Sequence, residues 1–244
     1  MDKQRTAIVT GAGKRVGREI AAALVEDGWT VVGHVHHGTD EVPSGVAKVA
    51  ADLEDPACAE IIVGAAENLP PARLLVNNAA RFGWDGFGEF DAAGFSAHMN
   101  VNVRAPALLI ERFAAGQSPD EDSLVVNLLD SKLAAPNPDY LSYTLSKQAL
   151  AGLTGLAARA LAPRGVRVNG IAPGLMLRSS GQSENNFEAM HASNPLKRGV
   201  EPADVVGAIR YFIGAECVTG EVLVIDAGQR FLGLERDVQF LGRP

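Results

Sequence analysis

Three side chains that could share one cleft and move a proton, Asp130, Tyr143 and Lys147, fall within LVVNLLDSKLAAPNPDYLSYTLSK, residues 124–147. Asp130 follows the apolar, β-favouring run 124–129, which reads as a buried strand. Its carboxylate is therefore expected at the C-terminal edge of a strand, where open α/β sheets bind ligands. A polar loop with Pro136 and Pro138 comes next, and a helical pattern begins near Tyr140. Tyr143 and Lys147 are four residues apart, so they share a face of that helix. A phenol, an ammonium and a carboxylate meeting in one cleft make proton-transfer chemistry. The ammonium is expected to favour phenolate and draw the tyrosine pKa down from about 10. The same spacing also suits a tyrosine and a lysine on a solvated helix face, and these residues alone leave both readings open.

The elements that must position these groups alternate along the chain. A strand at 6–10 runs into the turn GAGKRVG, residues 11–17, and then into a helix closed by Gly28. Strand, glycine turn and helix N-terminus form a phosphate site from Gly11, Gly13, Lys14, Arg15, Val16 and Gly17. A second strand at 29–33 leads to His34, Val35, His36 and His37. NAD-binding folds place an acidic residue here for the ribose 2′-hydroxyl, and this chain has none before Asp40. Three histidines with Lys14 and Arg15 would accept a 2′-phosphate, which favours NADP(H) over NAD(H).

A third strand at 46–51 ends at Asp52 and Leu53. Asp52 either accepts from an adenine amino group or caps the next helix, at 56–68. A fourth strand, 73–76, ends in Asn77, Asn78, Ala79 and Ala80. Phe82, Trp84 and Phe87 follow, to stack on a flat ligand or to anchor their own loop. Residues 91–115 read as helical, with Asn102 an amide that needs a partner, and Pro106 is expected to break the helix and free a carbonyl for it or for a water. The helix from Tyr140 is nearly all small and apolar, for burial in the sheet or a partner subunit. A sixth strand, 165–171, precedes Pro173, Gly174 and Leu175. The polar stretch 176–198, with Ser179 and Ser180, reads as an irregular lid. A helix at 202–213, a last strand at 222–225 and a tail over 229–244 complete the chain. These seven strands and intervening helices predict one α/β domain, 1–244, built on a doubly wound parallel sheet with helices on both faces.

A net charge of −7 argues against nucleic acid as a partner. No apolar run is long enough to span a membrane. Cys58 and Cys217 are far apart and show no metal spacing, the histidines lack a carboxylate or thiol beside them, and no metal is expected. Free thiols and the absence of a signal-peptide pattern at the N-terminus point to a cytoplasmic protein acting on a small molecule.

Taken together, TGAGKRVG, NNAA, the helical Asn102, Tyr143-x-x-x-Lys147 and RVNGIAPG resemble the short-chain dehydrogenase/reductase family in order and spacing, over essentially the whole chain. The resemblance implies a Rossmann-like fold and hydride transfer from a nicotinamide. Tyr143 would be the proton donor, Lys147 would hold the nicotinamide ribose, and Asn102 would support a water in the relay. Thr10, Gly11, Gly13 and Gly17 would shape the pyrophosphate turn. Asn78, Ala79, Pro173 and Gly174 would also border the cofactor. The family habit is a homotetramer.

Two departures narrow the resemblance. Asp130 stands where the family usually has serine, and Arg15 where its turn usually has glycine. Both are similar to the pteridine reductases and the related bacterial dihydromonapterin/dihydrofolate reductases. Phe82 then matches the aromatic on which those enzymes stack the pterin, Leu175 borders the pterin pocket, and His37 stands where arginine is common. The implied activity is NADPH-dependent reduction of a pterin-like C=N bond, with Asp130, Tyr143, Phe82 and Leu175 meeting the substrate. The alternatives are a carbonyl reductase acting on 3-oxoacyl or alicyclic ketones, and a non-catalytic NADP(H)-binding protein.

Overall fold

The computed structural model describes residues 4–178 and 182–241. Seven strands, β1 (Thr6–Val9), β2 (Thr30–Val35), β3 (Val46–Ala50), β4 (Ala72–Asn77), β5 (Ser123–Leu128), β6 (Val166–Pro173) and β7 (Val222–Ile225), form one parallel sheet in the order β3-β2-β1-β4-β5-β6-β7. Its central strands β1 and β5 are buried along their whole length, as continuous Val/Ile/Leu-rich runs in a parallel sheet require. The edge strand β3 leaves Ala47 and Lys48 exposed.

The helices are α1 (Arg15–Glu26), α2 (Cys58–Gly64), α3 (Ala92–Met99), α4 (Ala105–Ala115), α5 (Leu141–Leu161), α6 (Glu184–Ala192) and α7 (Pro202–Gly214). On one face Ile62, Leu109, Phe113 and Ala157 from α2, α4 and α5 pack on Ile8, Leu75 and Val125. On the other, Ile20 and Leu24 of α1 and Val205, Ile209 and Phe212 of α7 pack on Ala7, Leu74 and Val126. The strand order runs one way from β1 through β2 to β3 and the other way from β4 onward, so the crevice between the C-terminal ends of β1 and β4 is a topological switch point.

A buried side-chain ladder crosses the middle of the sheet. Asn77 Nδ2 donates to Asn127 Oδ1 at 2.8 Å, Asn127 Nδ2 donates to Thr154 Oγ1 at 2.9 Å, and the threonine hydroxyl donates to the Leu150 carbonyl at 2.8 Å. β4, β5 and α5 are thereby keyed together by polar groups inside an apolar interior.

Four local expectations need correction. β2 does not stop at Gly33 but continues to Val35, so His34 is a buried strand residue rather than part of a loop. The helix at 91–115 is interrupted just before Pro106: residues Asn100–Arg104 form a π-helical turn that runs directly into α4, with Pro106 as its second residue. α2 is shorter than 56–68, because Asp52 and Asp55 each accept a backbone N–H two residues on and hold that approach in turns. Within the stretch read as an irregular lid, Ser183 accepts from Asn186 N at 3.2 Å and starts α6, a nine-residue helix. Ser179 and Ser180 lie outside the described residues.

Candidate active site

The cleft at the switch point has a volume of about 820 Å³ and runs from the glycine turn to the start of α5. Thr10, at the end of β1, latches the fourth strand's exit turn: its Oγ1 accepts from Asn78 N and Ala79 N, both at 3.0 Å, while Asn78 Nδ2 donates back to the Thr10 carbonyl at 2.8 Å. Beneath the turn, a Cβ on Gly17 would sit 2.2 Å from the Gly11 carbonyl oxygen, and Gly11 itself has φ +69°. Neither position admits an ordinary side chain. α1 begins there with no side-chain cap and no acidic residue in its first turn, which leaves its N–H groups and the positive end of its dipole for an anion. Arg15 adopts φ +51°, a backbone state that favours glycine, and its guanidinium reaches the Arg178 carbonyl at 3.4 Å. Lys14, Arg15, Val16, Gly13, Asp52, Leu53, Asn78 and Ala79 all line the cleft. The close-approach glycines and the open helix end fit a dinucleotide.

The three histidines do not act alike. His34 is 2% exposed; its Nδ1 accepts from Gly11 N at 3.3 Å, and its Nε2 stands 3.0 Å from the Ala51 carbonyl. A carbonyl only accepts, so Nε2 carries the proton and the ring is neutral. Burial pushes its pKa below the ordinary 6.5. His34 therefore braces the turn and offers no positive charge to a 2′-phosphate. His36 lines the cleft, exposed, 4.0 Å from an Asp52 carboxylate oxygen. His37 does not line it; it meets His36 edge-on at 4.1 Å, and its backbone N–H donates to Asp40. Asp40, the first acidic residue after β2, lines this end, and Glu41 lines it beside Asp40.

At the other end, Tyr143 Oη donates to Asp130 Oδ2 at 2.9 Å, and the second carboxylate oxygen accepts from Lys132 N at 2.9 Å. Lys147 Nζ donates to the Leu128 carbonyl at 2.6 Å and lies 5.6 Å from the Tyr143 ring centre. The strand–loop–helix path brings all three groups into one buried cluster. Its electrostatics reverse the expectation of a depressed tyrosine. Loss of water, and then the Asp130 carboxylate, push the Tyr143 phenol well above 10. Burial also raises the Asp130 carboxyl above 3.8, although Lys132, Lys147 and the tyrosine hydroxyl oppose the rise. The same burial lowers Lys147 from 10.5 to about 8. Tyr143 is held as a neutral phenol, not poised as phenolate.

Phe82 stacks on Tyr140 at 4.4 Å and meets Tyr143 edge-on at 4.8 Å. Pro173, Gly174 and Leu175 border the cleft opposite, fixed by Gln229, whose Oε1 accepts from Leu175 N at 2.8 Å. Asn102 is buried and does not line the cleft. Its side chain uses no carbonyl freed by Pro106; Nδ2 donates to the Arg81 carbonyl and Ser146 Oγ, both at 2.9 Å, and Oδ1 accepts from Arg81 N at 2.7 Å. The tail forms a wall that local sequence does not signal. Asp237 pairs with Lys132 at 2.9 Å, Arg236 binds Asp139 through both carboxylate oxygens, and Tyr140 bonds Gln239, so Leu234, Asp237 and Val238 border the substrate end. Residues 242–244 of the tail lie outside the described residues.

Residues 11–230 match the family model described as Enoyl-(Acyl carrier protein) reductase. The FolM alternative dihydrofolate reductase 1 of Brucella suis, solved in complex with NADP, superposes with a TM-score of 0.89 at 35% identity, covering 97% of this chain and 99% of that one. Pteridine reductase 1 of Leishmania tarentolae is 27% identical over 91% of this chain and 95% of its own length. The 3-oxoacyl-[acyl-carrier-protein] reductase FabG of Staphylococcus epidermidis is 25% identical over 92% of this chain and 98% of its own.

Proposed function

The chain belongs to the short-chain dehydrogenase/reductase family of oxidoreductases, and from that premise we propose that it is an NADPH-dependent reductase of a pterin-like C=N substrate. The observation that carries this reading is the buried hydrogen bond from Tyr143 to Asp130. When bound, the nicotinamide supplies the hydride to the C=N carbon. The chain's own task is the proton for the ring nitrogen. With Asp130 ionised, the tyrosine proton points at the carboxylate. With Asp130 protonated, the carboxyl donates to Tyr143 Oη, and the phenol proton is released toward the substrate nitrogen. The raised pKa of Asp130 favours that second arrangement. Solvent then returns the proton to Asp130, so one hydride and one proton are consumed in each turnover.

A ketone oxygen becomes an alkoxide, which any ionised Asp130 would repel, whereas a pterin nitrogen takes the proton that protonated Asp130 passes through Tyr143. Phe82 supplies an aromatic surface beside Tyr143 for a flat ring. Gly11, Gly13, Lys14, Arg15 and Gly17 would hold the pyrophosphate, Lys147 the nicotinamide ribose, and Lys14, Arg15 and His36 the 2′-phosphate. The NADP complex of the Brucella protein supports the cofactor assignment. The exposed Leu145 and Leu156 on α5 provide the contact face for the oligomer we expect.

Carbonyl reduction is the competing reading, supported by the FabG relative. Steady-state assays with NADPH on dihydropterin, dihydrofolate and a panel of ketones separate the two. Asp130→Ser should lower dihydropterin turnover by about 100-fold, within the range of general acid catalysis, and spare ketone reduction. The opposite pattern overturns the assignment.

A further inference from the structure

The helix that carries Tyr143 and Lys147 begins without a cap of its own. Tyr140, at its N-cap, has a left-handed backbone with φ +58° and offers no side-chain acceptor to the first turn. Tyr143 is the third residue of α5, inside the turn where a helix frays most readily. The missing acceptors come from a distant segment. The Asp85 carbonyl accepts from Leu141 N at 3.2 Å, Asp85 Oδ1 accepts from Ser142 N at 2.9 Å, and Oδ2 accepts from the Ser142 hydroxyl. A carboxylate at this place also complements the positive end of the α5 dipole. Three residues before Asp85 in the same loop, Phe82 stacks on Tyr140 and meets Tyr143.

We propose that Asp85 is a positioning residue: it caps α5 from outside and so holds Tyr143 Oη against Asp130, while tying the Phe82 aromatic wall to the same helix turn. The proton donor and the surface beside it therefore move as one unit. A displacement of about 1 Å at a reacting group lowers a rate by as much as 100-fold, which makes the cap's effect measurable in turnover. The inference rests on the reading of Tyr143 as proton donor but not on the identity of the substrate.

The experiment compares wild type with Asp85→Ala, Asp85→Asn, Asp85→Glu and Tyr143→Phe, using NADPH with dihydrofolate and the ketone panel, alongside hydrogen–deuterium exchange of residues 141–144. Asp85→Ala should lower kcat at least tenfold, leave the Kd for NADPH within twofold, and speed exchange at 141–144. Asp85→Asn keeps an oxygen for the Ser142 N–H and should restore kcat to within about threefold of wild type. Asp85→Glu keeps the charge but misplaces it by one methylene; it should lose kcat like the alanine variant, and it decides the matter if the alanine variant does not fold. Wild-type kcat in Asp85→Glu or in folded Asp85→Ala, beside an inactive Tyr143→Phe, overturns the inference alone. Wild-type turnover in Tyr143→Phe overturns the reading beneath it.

Discussion

Lys147 is a charge held at a cost that can be measured. It is 4% exposed, and burial takes its pKa from the ordinary 10.5 to about 8 against the opposing pull of Asp130. Below pH 8 the ammonium persists in both folded and unfolded chains, and the folded chain bears the full desolvation cost. The gap between 10.5 and about 8, at 1.36 kcal/mol per pH unit, makes that cost about 3 kcal/mol. As pH rises from 8 towards 10.5 the folded form gives up the proton while the unfolded chain keeps it. The unfolded state then binds more protons, and stability climbs with pH. Lys147→Met keeps the side chain's length and removes the titration. Urea unfolding of the cofactor-free protein at intervals from pH 7 to 10.5 should show the wild type gaining about 3 kcal/mol relative to the variant across the window. A difference that stays flat over this range would refute the claim that the lysine is desolvated in the fold.

Asp130 carries the opposite sign. Its pKa is raised, so the protonated form that recharges Tyr143 is present below the folded value and is lost as pH rises through it. The kcat profile for a C=N substrate should fall on its alkaline side for that reason, and Asp130→Asn should retain only weak turnover without that limb; an unchanged limb in the variant would place the titration on another group. At Arg15, φ +51° costs a residue with a side chain about 1–2 kcal/mol. Arg15→Gly should therefore raise the melting temperature of the cofactor-free protein while weakening NADPH several-fold more than NADH in fluorescence titrations. Unchanged stability together with an unchanged cofactor ratio would remove both roles assigned to the arginine.

Much of the fold can be read along the chain because each strand is a short apolar run between glycine, proline or acidic breaks, and only the ends shift by a residue or two. His34 shows where this reading stops. A polar residue after Gly33 looks like the start of a loop, yet hydrogen bonds to Gly11 and Ala51 let the strand carry it into the interior. The catalytic trio is legible for a different reason: one strand, one loop and the first turns of one helix place Asp130, Tyr143 and Lys147 together with little freedom. The direction of their pKa shifts is not legible, since spacing reports which charges are close but not how much water is removed. The C-terminal wall escapes too, because Arg236 meets Asp139 from 97 residues away. Asp85 escapes for the same reason, meeting Ser142 across 57 residues.

The Asn77–Asn127–Thr154 ladder has a consequence for how the chain avoids error. Parallel strands rich in Val and Leu offer little to choose between neighbouring alignments, and a slip of one residue turns every side chain to the opposite face. If β4 slid against β5, the Asn77 amide N–H and the Asn127 amide oxygen would lose each other in hydrocarbon, at about 1–3 kcal/mol for each lost partner. The mismatched pairing would be penalised, so these two amides act as a proofreading mark for the β4–β5 alignment on which the reactive cluster depends.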